Sequence, residues 1–179
     1  MEQIIQLNSE AKLSEHFTLG EFTKSGSHPE VYNIPSHEAI ENLKRVCCWL
    51  EVLRKRYNEL YQTTPGPSLL FLGQAKRQSR AKEGRTVPII INSGYRSPQL
   101  NRKVGGSPTS NHLTGCAVDI RVSGIEQALR YAVILLDYAD ESKQDFDELL
   151  LEKNQHGAIW LHFAVRVNKN RRKILFINA

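Results

Sequence analysis

The sequence predicts one α+β domain in which helices cover a mainly antiparallel β-sheet. Apolar residues recur at helical spacing after Ser36 and again over residues 125–138, which indicates two amphipathic helices. The segments around Asp119 and His162 instead alternate apolar and polar residues, as half-buried strands do. A chain of 179 residues is long enough for one full core and short for two. We therefore expect residues 1–179 to form a single domain.

The helices are predicted from capping residues, apolar periodicity and stop signals. A long helix should begin after its cap, Ser36, and end before Pro65. A short helix over residues 98–104 follows the cap Ser97 and stops at a Gly-Gly pair. A third helix is predicted over residues 125–138. The residues that it should bury lie on one stripe, namely Ile125, Leu129, Val133 and Leu136.

The strands are predicted from a β-branched run and from period-two alternation. Residues 87–91 form the β-branched run. Residues 116–122 alternate, with Asp119 on the side that faces away from the core. Residues 146–152 and 158–167 flank a short turn that contains a glycine. We expect these last two strands to pair as an antiparallel hairpin.

Two segments are expected to lack regular structure, an irregular N-terminal stretch at residues 1–34 and a flexible excursion at residues 69–87. Lys and Arg number 24 against 19 Asp and Glu, a net charge of +5. Much of this excess lies in residues 76–85 and 166–173, and neither segment interleaves aromatic residues as single-stranded nucleic-acid sites do. We interpret both as solvated loops and expect no nucleic-acid partner.

Nothing in the sequence indicates export or a membrane anchor. The first 17 residues contain no basic region followed by an apolar one, and no apolar run approaches the length of a membrane-spanning helix. Three cysteines, of which Cys47 and Cys48 are neighbours, do not indicate a disulfide framework, and strand period places Cys116 in the core. We expect a monomer without a membrane span that is cytoplasmic as synthesised.

Three residues together suit a metal site. His112 in a loop and Asp119 on the adjoining strand are seven positions apart, and Gly115 between them permits a tight entry into the strand. His162 lies on the polar stripe of the last predicted strand. Each residue alone has an ordinary explanation, such as a surface histidine or an aspartate that caps a turn. Two imidazoles and one carboxylate, however, suit Zn²⁺ with a fourth position left for water, so we expect a zinc site on the polar side of the sheet.

Further motifs surround these three residues. They are Ser93-Gly-Tyr-Arg96-Ser, Asn101, Val104-Gly-Gly-Ser107, Ser110-x-His112-x-x-Gly115-x-Ala117-x-Asp119 and Trp160-x-His162, with His16-Phe-Thr-Leu-Gly-Glu21-Phe-Thr near the start. With this set of spaced motifs, the sequence resembles the M15 family of zinc D-Ala-D-Ala carboxypeptidases and phage endolysin peptidases. The likeness covers nearly the whole chain.

The resemblance implies a zinc-dependent peptidase that hydrolyses an amide bond in peptidoglycan peptide, either the terminal D-Ala-D-Ala bond or an internal one. It implies the three ligand roles given above. It also implies that Arg96 binds the substrate near its reacting carbonyl, where a guanidinium can bind a carboxylate or stabilise an oxyanion. Ser110 and Trp160 are expected to contact the substrate as well. Such an enzyme would act on the cell wall after its release from the cytoplasm.

The general base is less directly indicated. Members of the family commonly have a glutamate three residues before the last histidine, where this sequence has Ile159. Other relatives place a glutamate at the end of the preceding strand, where this sequence has Glu152. A longer hairpin turn would bring Glu152 level with His162, so we predict Glu152 as the general base. The alternatives are Asp147, Glu148 and His156.

Two other classes of function explain part of the sequence. A catalytically inactive module that binds cell-wall peptide or a protein partner would explain Ile159 in place of the glutamate. A nucleic-acid-binding protein would explain the basic segments but none of the motifs. The complete set of two histidines and one aspartate favours the enzyme.

Overall fold

The computed structural model describes residues 8–61 and 86–178. Within these ranges the chain forms one β-sheet with helices, so the predicted α+β class is confirmed. The helices are α1 (Leu19–Thr23), α2 (His37–Tyr61), α3 (Pro98–Lys103) and α4 (Ile125–Ser142), with a 3-10 helix at Asn111–Thr114. The strands are β1 (Ile91–Ser93), β2 (Ala117–Arg121), β3 (Glu148–Lys153), β4 (Ile159–Ala164) and β5 (Lys173–Asn178).

The five strands lie in the order β1-β2-β4-β3-β5. The pairings β1–β2, β2–β4 and β3–β4 are antiparallel, and the last of these is the predicted hairpin. Strand β5 pairs in parallel with β3, so the sheet is mixed rather than purely antiparallel. The sequence analysis missed β5 because its apolar residues, 174–177, form a continuous run without period-two alternation.

One face of the sheet carries the hydrophobic core. Val118 and Ile120 of β2 and Phe163 of β4 point to this face and are fully buried in a cluster with residues of α2 and α4. The indole of Trp49 in α2 packs against the Phe163 ring, with 5.3 Å between the ring centroids. Burial of each such side chain stabilises the fold by about 1.5–3 kcal/mol. Since successive strand residues alternate in direction, Asp119 turns to the opposite face.

The predicted buried stripe of α4 is wrong. Ile125, Leu129 and Val133 are 47%, 48% and 51% exposed, and Leu136 is half-buried. The residues that α4 buries are Ala128, Tyr131, Ile134, Leu135 and Ala139. This helix has apolar residues on two stripes, and the buried stripe is the one whose Tyr131 ring packs edge-on against Tyr57 of α2, at 4.8 Å between centroids.

Other boundaries follow the predictions more closely. Helix α2 has the predicted cap, because Ser36 Oγ accepts from the backbone N–H of Ala39. Strand β1 begins at Ile91, later than predicted, and residues 86–90 form no regular strand although the Ile90 carbonyl accepts from the Arg121 N–H. The irregular N-terminal stretch contains helix α1, which the sequence analysis did not predict.

Most of the predicted excursion at residues 69–87 lies outside the described residues, as does the basic segment 76–85. The extent of a single domain over residues 1–179 therefore stays a prediction. In the parts of the chain that the structure describes, no helix is both long and apolar enough to cross a membrane.

Candidate metal centre

The sheet register brings two of the predicted ligands together on the polar face. Asp119 of β2 is the antiparallel partner of His162 of β4, so their side chains project side by side. The 3-10 helix at Asn111–Thr114 delivers His112 to the same place. All three residues are buried, at 2% exposure for His112 and 6% for each of the others.

The donor atoms of these residues form a compact triangle. Asp119 Oδ1 lies 2.9 Å from His162 Nδ1 and 3.2 Å from His112 Nε2, and the two imidazole nitrogens are 3.3 Å apart. Three such atoms so close together form a group that could hold a metal ion. The structure therefore brings together the three residues that the sequence analysis selected.

Backbone contacts fix the position of His112. Its Nδ1 lies 2.5 Å from the carbonyl oxygen of Gly94, so that Nδ1–H donates to this oxygen and the lone pair of Nε2 points into the triangle. The 3-10 helix ends at Gly115 with φ +72°, a conformation that favours glycine. A Cβ at Gly115 would lie 2.4 Å from the Ala39 carbonyl oxygen, so a side chain here would push the loop away from α2.

Arg96 holds the outer oxygen of Asp119. Its Nη2 donates to Asp119 Oδ2 over 2.5 Å, and its Nε donates to Ser93 Oγ over 2.9 Å. The backbone N–H of Arg96 also donates to the His112 carbonyl, at 3.0 Å. Arg96 thus lies beside the cluster, as the sequence analysis expects, and part of its guanidinium is bound to a predicted ligand.

The electrostatics of the cluster favour a positive charge within the triangle. Burial acts to raise the pKa of Asp119, but its interactions with His112 and His162 hold this pKa well below its ordinary range. Burial lowers the pKa of His112, which favours the neutral imidazole. Burial also acts to lower the pKa of His162, but Asp119 and Glu148 raise it to about 9. An ionised carboxylate and a neutral imidazole thus meet at one point, where either a proton on His162 or a bound cation supplies the favoured positive charge.

Glu152 lies on the same face as the cluster. It is the β-partner of Trp160, two residues from His162, and both Glu152 and Trp160 are half-buried. Burial raises the pKa of the Glu152 carboxyl, opposed in part by His162 and by a hydrogen bond with Trp160. Strand period predicts this common face, but the predicted register is wrong: the hairpin pairs Leu150 with His162 and places Glu152 level with Trp160.

Glu148 lies on the other side of His162. Its Oε2 is 3.5 Å from His162 Nε2, which has no hydrogen-bond partner among the described residues. The same Oε2 accepts from Asn111 Nδ2 at 2.9 Å, and Oε1 is 2.9 Å from Arg171 Nη2. Interaction with His162 is the main cause that lowers the pKa of Glu148 to about 2.

Asp147 and His156, the remaining candidates for the base, lie away from the triangle. Asp147 is fully buried and forms ion pairs with Arg166 and Arg171 at 3.0 and 2.7 Å. It also accepts from Asn111 Nδ2 at 2.7 Å. His156 is exposed in the hairpin turn. The prediction that segment 166–173 is only a solvated loop is therefore wrong at these two arginines, because a carboxylate far away in the sequence binds them.

Three further residues of the sequence analysis have clear positions. Ser110 Oγ accepts from the His112 N–H at 3.3 Å and caps the 3-10 helix, while the expected contact of Ser110 with substrate stays a prediction. Tyr95, which lies within the motif that contains Arg96, is 8% exposed in the core cluster. Cys116 is also buried as predicted, and burial raises the pKa of its thiol, which disfavours a nucleophilic thiolate.

Sequence reasoning did not find Asn111, which links the metal cluster to the ion pairs of Asp147. Its Nδ2 donates to both Asp147 and Glu148, and its Oδ1 accepts from Arg166 Nε at 2.9 Å. The only sequence signal was its place next to His112 in the motif.

Comparison with known proteins gives one family match. The family model described as Peptidase M15 matches residues 65–142, which include Arg96, His112 and Asp119 and end before His162. No curated protein matches the chain significantly. The family match supports the assignment of this chain to the M15 peptidases.

Proposed function

We propose that this protein is a zinc-dependent peptidase that hydrolyses an amide bond in peptidoglycan peptide. The observation that carries the proposal is the triangle formed by His112 Nε2, Asp119 Oδ1 and His162 Nδ1, with edges of 2.9 to 3.3 Å. Tetrahedral zinc with bonds of about 2.0–2.1 Å has ligand atoms about 3.3 Å apart. The donor set therefore fits this ion in size as well as in chemistry.

A zinc ion bound there would supply a water molecule of lowered pKa and a positive charge for the substrate carbonyl. Three protein ligands, rather than four, leave a position for these groups, as catalytic zinc sites do. His112 is preorganised for this role because Gly94 fixes its tautomer, and Asp119 because Arg96 occupies its other oxygen.

Glu152 is proposed to accept the proton of the attacking water and to return it to the leaving amine. Its half-buried carboxyl shares the face of His162, and its raised pKa brings it closer to neutral pH, where a general base works best. Glu148 is less suited because Asn111 and Arg171 occupy both of its oxygens, which makes it a poor proton acceptor.

Arg96 is proposed to bind a substrate oxygen in addition to Asp119. A guanidinium has five N–H donors, and the contacts to Ser93 and Asp119 account for two of them. The remaining donors can bind the developing oxyanion or a peptide carboxylate. Trp160, half-buried beside Glu152, and the Ser110 hydroxyl are the other proposed substrate contacts.

The net charge of +5 favours binding to an anionic cell-wall polymer. We propose that the protein acts as a monomer on the wall after release from the cytoplasm. A second candidate function is a zinc-containing module that binds cell-wall peptide without cleaving it, and the observation in its favour is Ile159 at the position where the family commonly has a glutamate.

Digestion of purified peptidoglycan by the zinc-loaded protein, followed by mass analysis of the products, tests the proposal. We expect release of fragments that identify one amide bond. His112→Ala should abolish this release, and His156→Ala, which changes an exposed histidine of the turn, is the matched control. A zinc-loaded parent that binds peptidoglycan but leaves it intact would favour the binding module.

A further inference from the structure

We propose that Leu175 and Ile177 of β5 form an apolar subsite for an aliphatic side chain of the substrate. The side chain belongs to the substrate residue that carries the leaving amine. This proposal rests on the proposed peptidase function, in which Glu152 returns a proton to that amine, and it adds a residue preference to that function.

The register of three strands places the apolar subsite beside the proposed catalytic groups. Leu150 of β3 pairs with His162 of β4 on one side and with Leu175 of β5 on the other. Two residues further along β3, Glu152 pairs with Ile177. Neighbouring strands are about 4.8 Å apart. Ile177 is therefore adjacent to Glu152, and the backbone of Leu175 lies about 10 Å from that of His162.

A side-chain contact shows which face of β5 the apolar subsite occupies. Lys173 Nζ lies 3.4 Å from Glu148 Oε1, and Glu148 Oε2 lies 3.5 Å from His162 Nε2. Lys173 therefore lies on the face of the sheet that carries the metal cluster. Because successive strand residues alternate in direction, Leu175 and Ile177 lie on this face as well.

The apolar subsite has surface that a ligand can contact. Within the described part of the chain Leu175 is 44% exposed and Ile177 is half-buried. Leu150, which lies between Leu175 and His162 in the sheet, is only 5% exposed and closes the floor between them. An aliphatic group that lies on this surface is removed from water together with the two side chains, which favours its binding.

The position of Glu152 determines which substrate residue reaches the apolar subsite. In the proposed reaction its carboxyl returns a proton to the leaving amine, so this nitrogen lies beside Glu152. The side chain of the same substrate residue then lies next to Ile177, the strand neighbour of Glu152. A methyl group reaches no further than Ile177, whereas an unbranched aliphatic stem extends towards Leu175. The geometry therefore favours a leaving residue with a long aliphatic stem over alanine.

The test uses an N-acetylated peptidoglycan stem peptide in which one position at a time carries either norleucine or alanine, both in the original configuration. These pairs of peptides are offered to the zinc-loaded parent, to Leu175→Thr, to Ile177→Thr and to Ile174→Thr. Threonine suits a strand but replaces apolar surface with a hydroxyl. Ile174 is the matched control because it is an apolar residue of the same strand, is 50% exposed and lies on the opposite face.

Mass analysis identifies the cleaved bond, and kcat/KM is measured for each peptide. We expect the parent and Ile174→Thr to prefer norleucine over alanine at the leaving residue by about 5- to 30-fold, the effect of burying part of the longer stem. Leu175→Thr and Ile177→Thr should each reduce this ratio by about threefold or more. Their kcat/KM for the alanine peptide and their melting temperatures should match those of Ile174→Thr.

The outcomes separate the apolar subsite from the peptidase. If the parent cleaves the peptides without a norleucine preference at the leaving residue, or if Ile174→Thr reduces the preference as much as Leu175→Thr, the subsite is wrong and the peptidase stands. If the parent cleaves no peptide, Kd values decide. A norleucine preference in Kd that Leu175→Thr removes and Ile174→Thr keeps would retain the subsite and exclude the peptidase, and no such preference would exclude both.

Discussion

The Arg96 guanidinium binds one oxygen of the Asp119 carboxylate, and the other oxygen of this carboxylate faces the two histidines of the metal cluster. Arg96 Nη2 donates to Oδ2 over 2.5 Å, while Oδ1 faces the imidazoles of His112 and His162. A carboxylate held at one oxygen cannot rotate freely, so Arg96 fixes the direction from which Oδ1 enters the triangle. Partners of this kind commonly change metal affinity by about 10- to 100-fold. Arg96 therefore has a positioning role besides its proposed contact with substrate.

Replacement of Arg96 tests this double role. Arg96→Lys should reduce zinc affinity by about tenfold or more and should lower kcat/KM nearly as much as Arg96→Ala. The reason is that one ammonium cannot reproduce the planar donors that reach Ser93 and Asp119 together. Zinc affinity is measured by competition with a chelator. The control is Arg102→Lys, an exposed arginine of α3, and parental values in Arg96→Lys would remove this residue from the site.

The metal cluster itself predicts a stoichiometry. The purified protein should bind about one equivalent of zinc, and His112→Ala, Asp119→Ala and His162→Ala should each lose most of it, because each removes one of three donor atoms. Zinc that binds only the folded state should also raise the melting temperature, and a chelator should reverse this increase. Metal analysis and thermal unfolding provide the two measurements. Full zinc content in all three variants would contradict the assignment.

The Asp147 ion pairs predict a dependence of stability on pH. Asp147→Asn should lower the free energy of unfolding by about 2 kcal/mol at neutral pH, because the buried carboxylate accepts from Asn111 and from two arginines. Burial acts to raise the pKa of Asp147, but its hydrogen bonds with Arg171 and Asn111 lower this pKa below its ordinary value.

The sign of the pH effect follows from this lowered pKa. The stabilisation by Asp147 is complete above the pKa of the unfolded chain, about 4, and is lost as the pH falls through the lower pKa of the folded state. Denaturant titrations of the parent and of Asp147→Asn should therefore converge below about pH 4. An equal difference in stability at pH 7 and at pH 3 would exclude the ionised carboxylate as its cause. Asp137→Asn, an exposed position of α4, is the control.

The face of the sheet on which each metal ligand lies could be predicted from sequence because local rules decide it, whereas the pairing of β2 with β4 that brings Asp119 to His162 is long-range and was indicated by the family resemblance. Period-two alternation determines the face of Asp119 and His162, and the tight turn at Gly115 brings His112 to the start of the same strand. The caps Ser36 and Ser97 likewise depend on contacts within three residues, and both are observed. Strand faces, tight turns and helix caps, which depend on residues close together in the chain, could thus be predicted from the sequence.

The features that were missed depend on contacts between distant segments. Asp147 and Arg171 are 24 positions apart, and nothing local in the sequence pairs them. The buried face of α4 was misjudged because Leu129 and Tyr131 lie on competing apolar stripes, and only packing against Tyr57 of α2 selects between them. Strand β5 gains its stability from parallel pairing with β3, which a continuous apolar run does not indicate.

Substitution of Glu148 and of Glu152, the two glutamates near His162, should affect different properties of the protein: the first should weaken zinc affinity and the second should lower kcat. Glu148 lies 3.5 Å from His162 Nε2 and is bound by Asn111 and Arg171, so Glu148→Gln should weaken zinc affinity. At saturating zinc its kcat should remain within several-fold of the parent. Glu152 contacts none of the three ligand side chains by hydrogen bond or ion pair among the described residues, so Glu152→Gln should keep the fold and the zinc.

Glu152→Gln should nevertheless reduce kcat by about 100-fold or more, the scale of general-base removal, because glutamine is nearly isosteric but cannot accept the proton. Competition with a chelator measures the zinc affinity of Glu148→Gln and Glu152→Gln, and the rate of release of peptide fragments measures their kcat. Glu126→Gln, an exposed carboxylate of α4, controls for loss of charge alone. A Glu152→Gln variant with parental kcat, together with a collapse of kcat in zinc-saturated Glu148→Gln, would move the base to Glu148. In that case the hydrogen bonds that engage Glu148 would have to break when substrate binds.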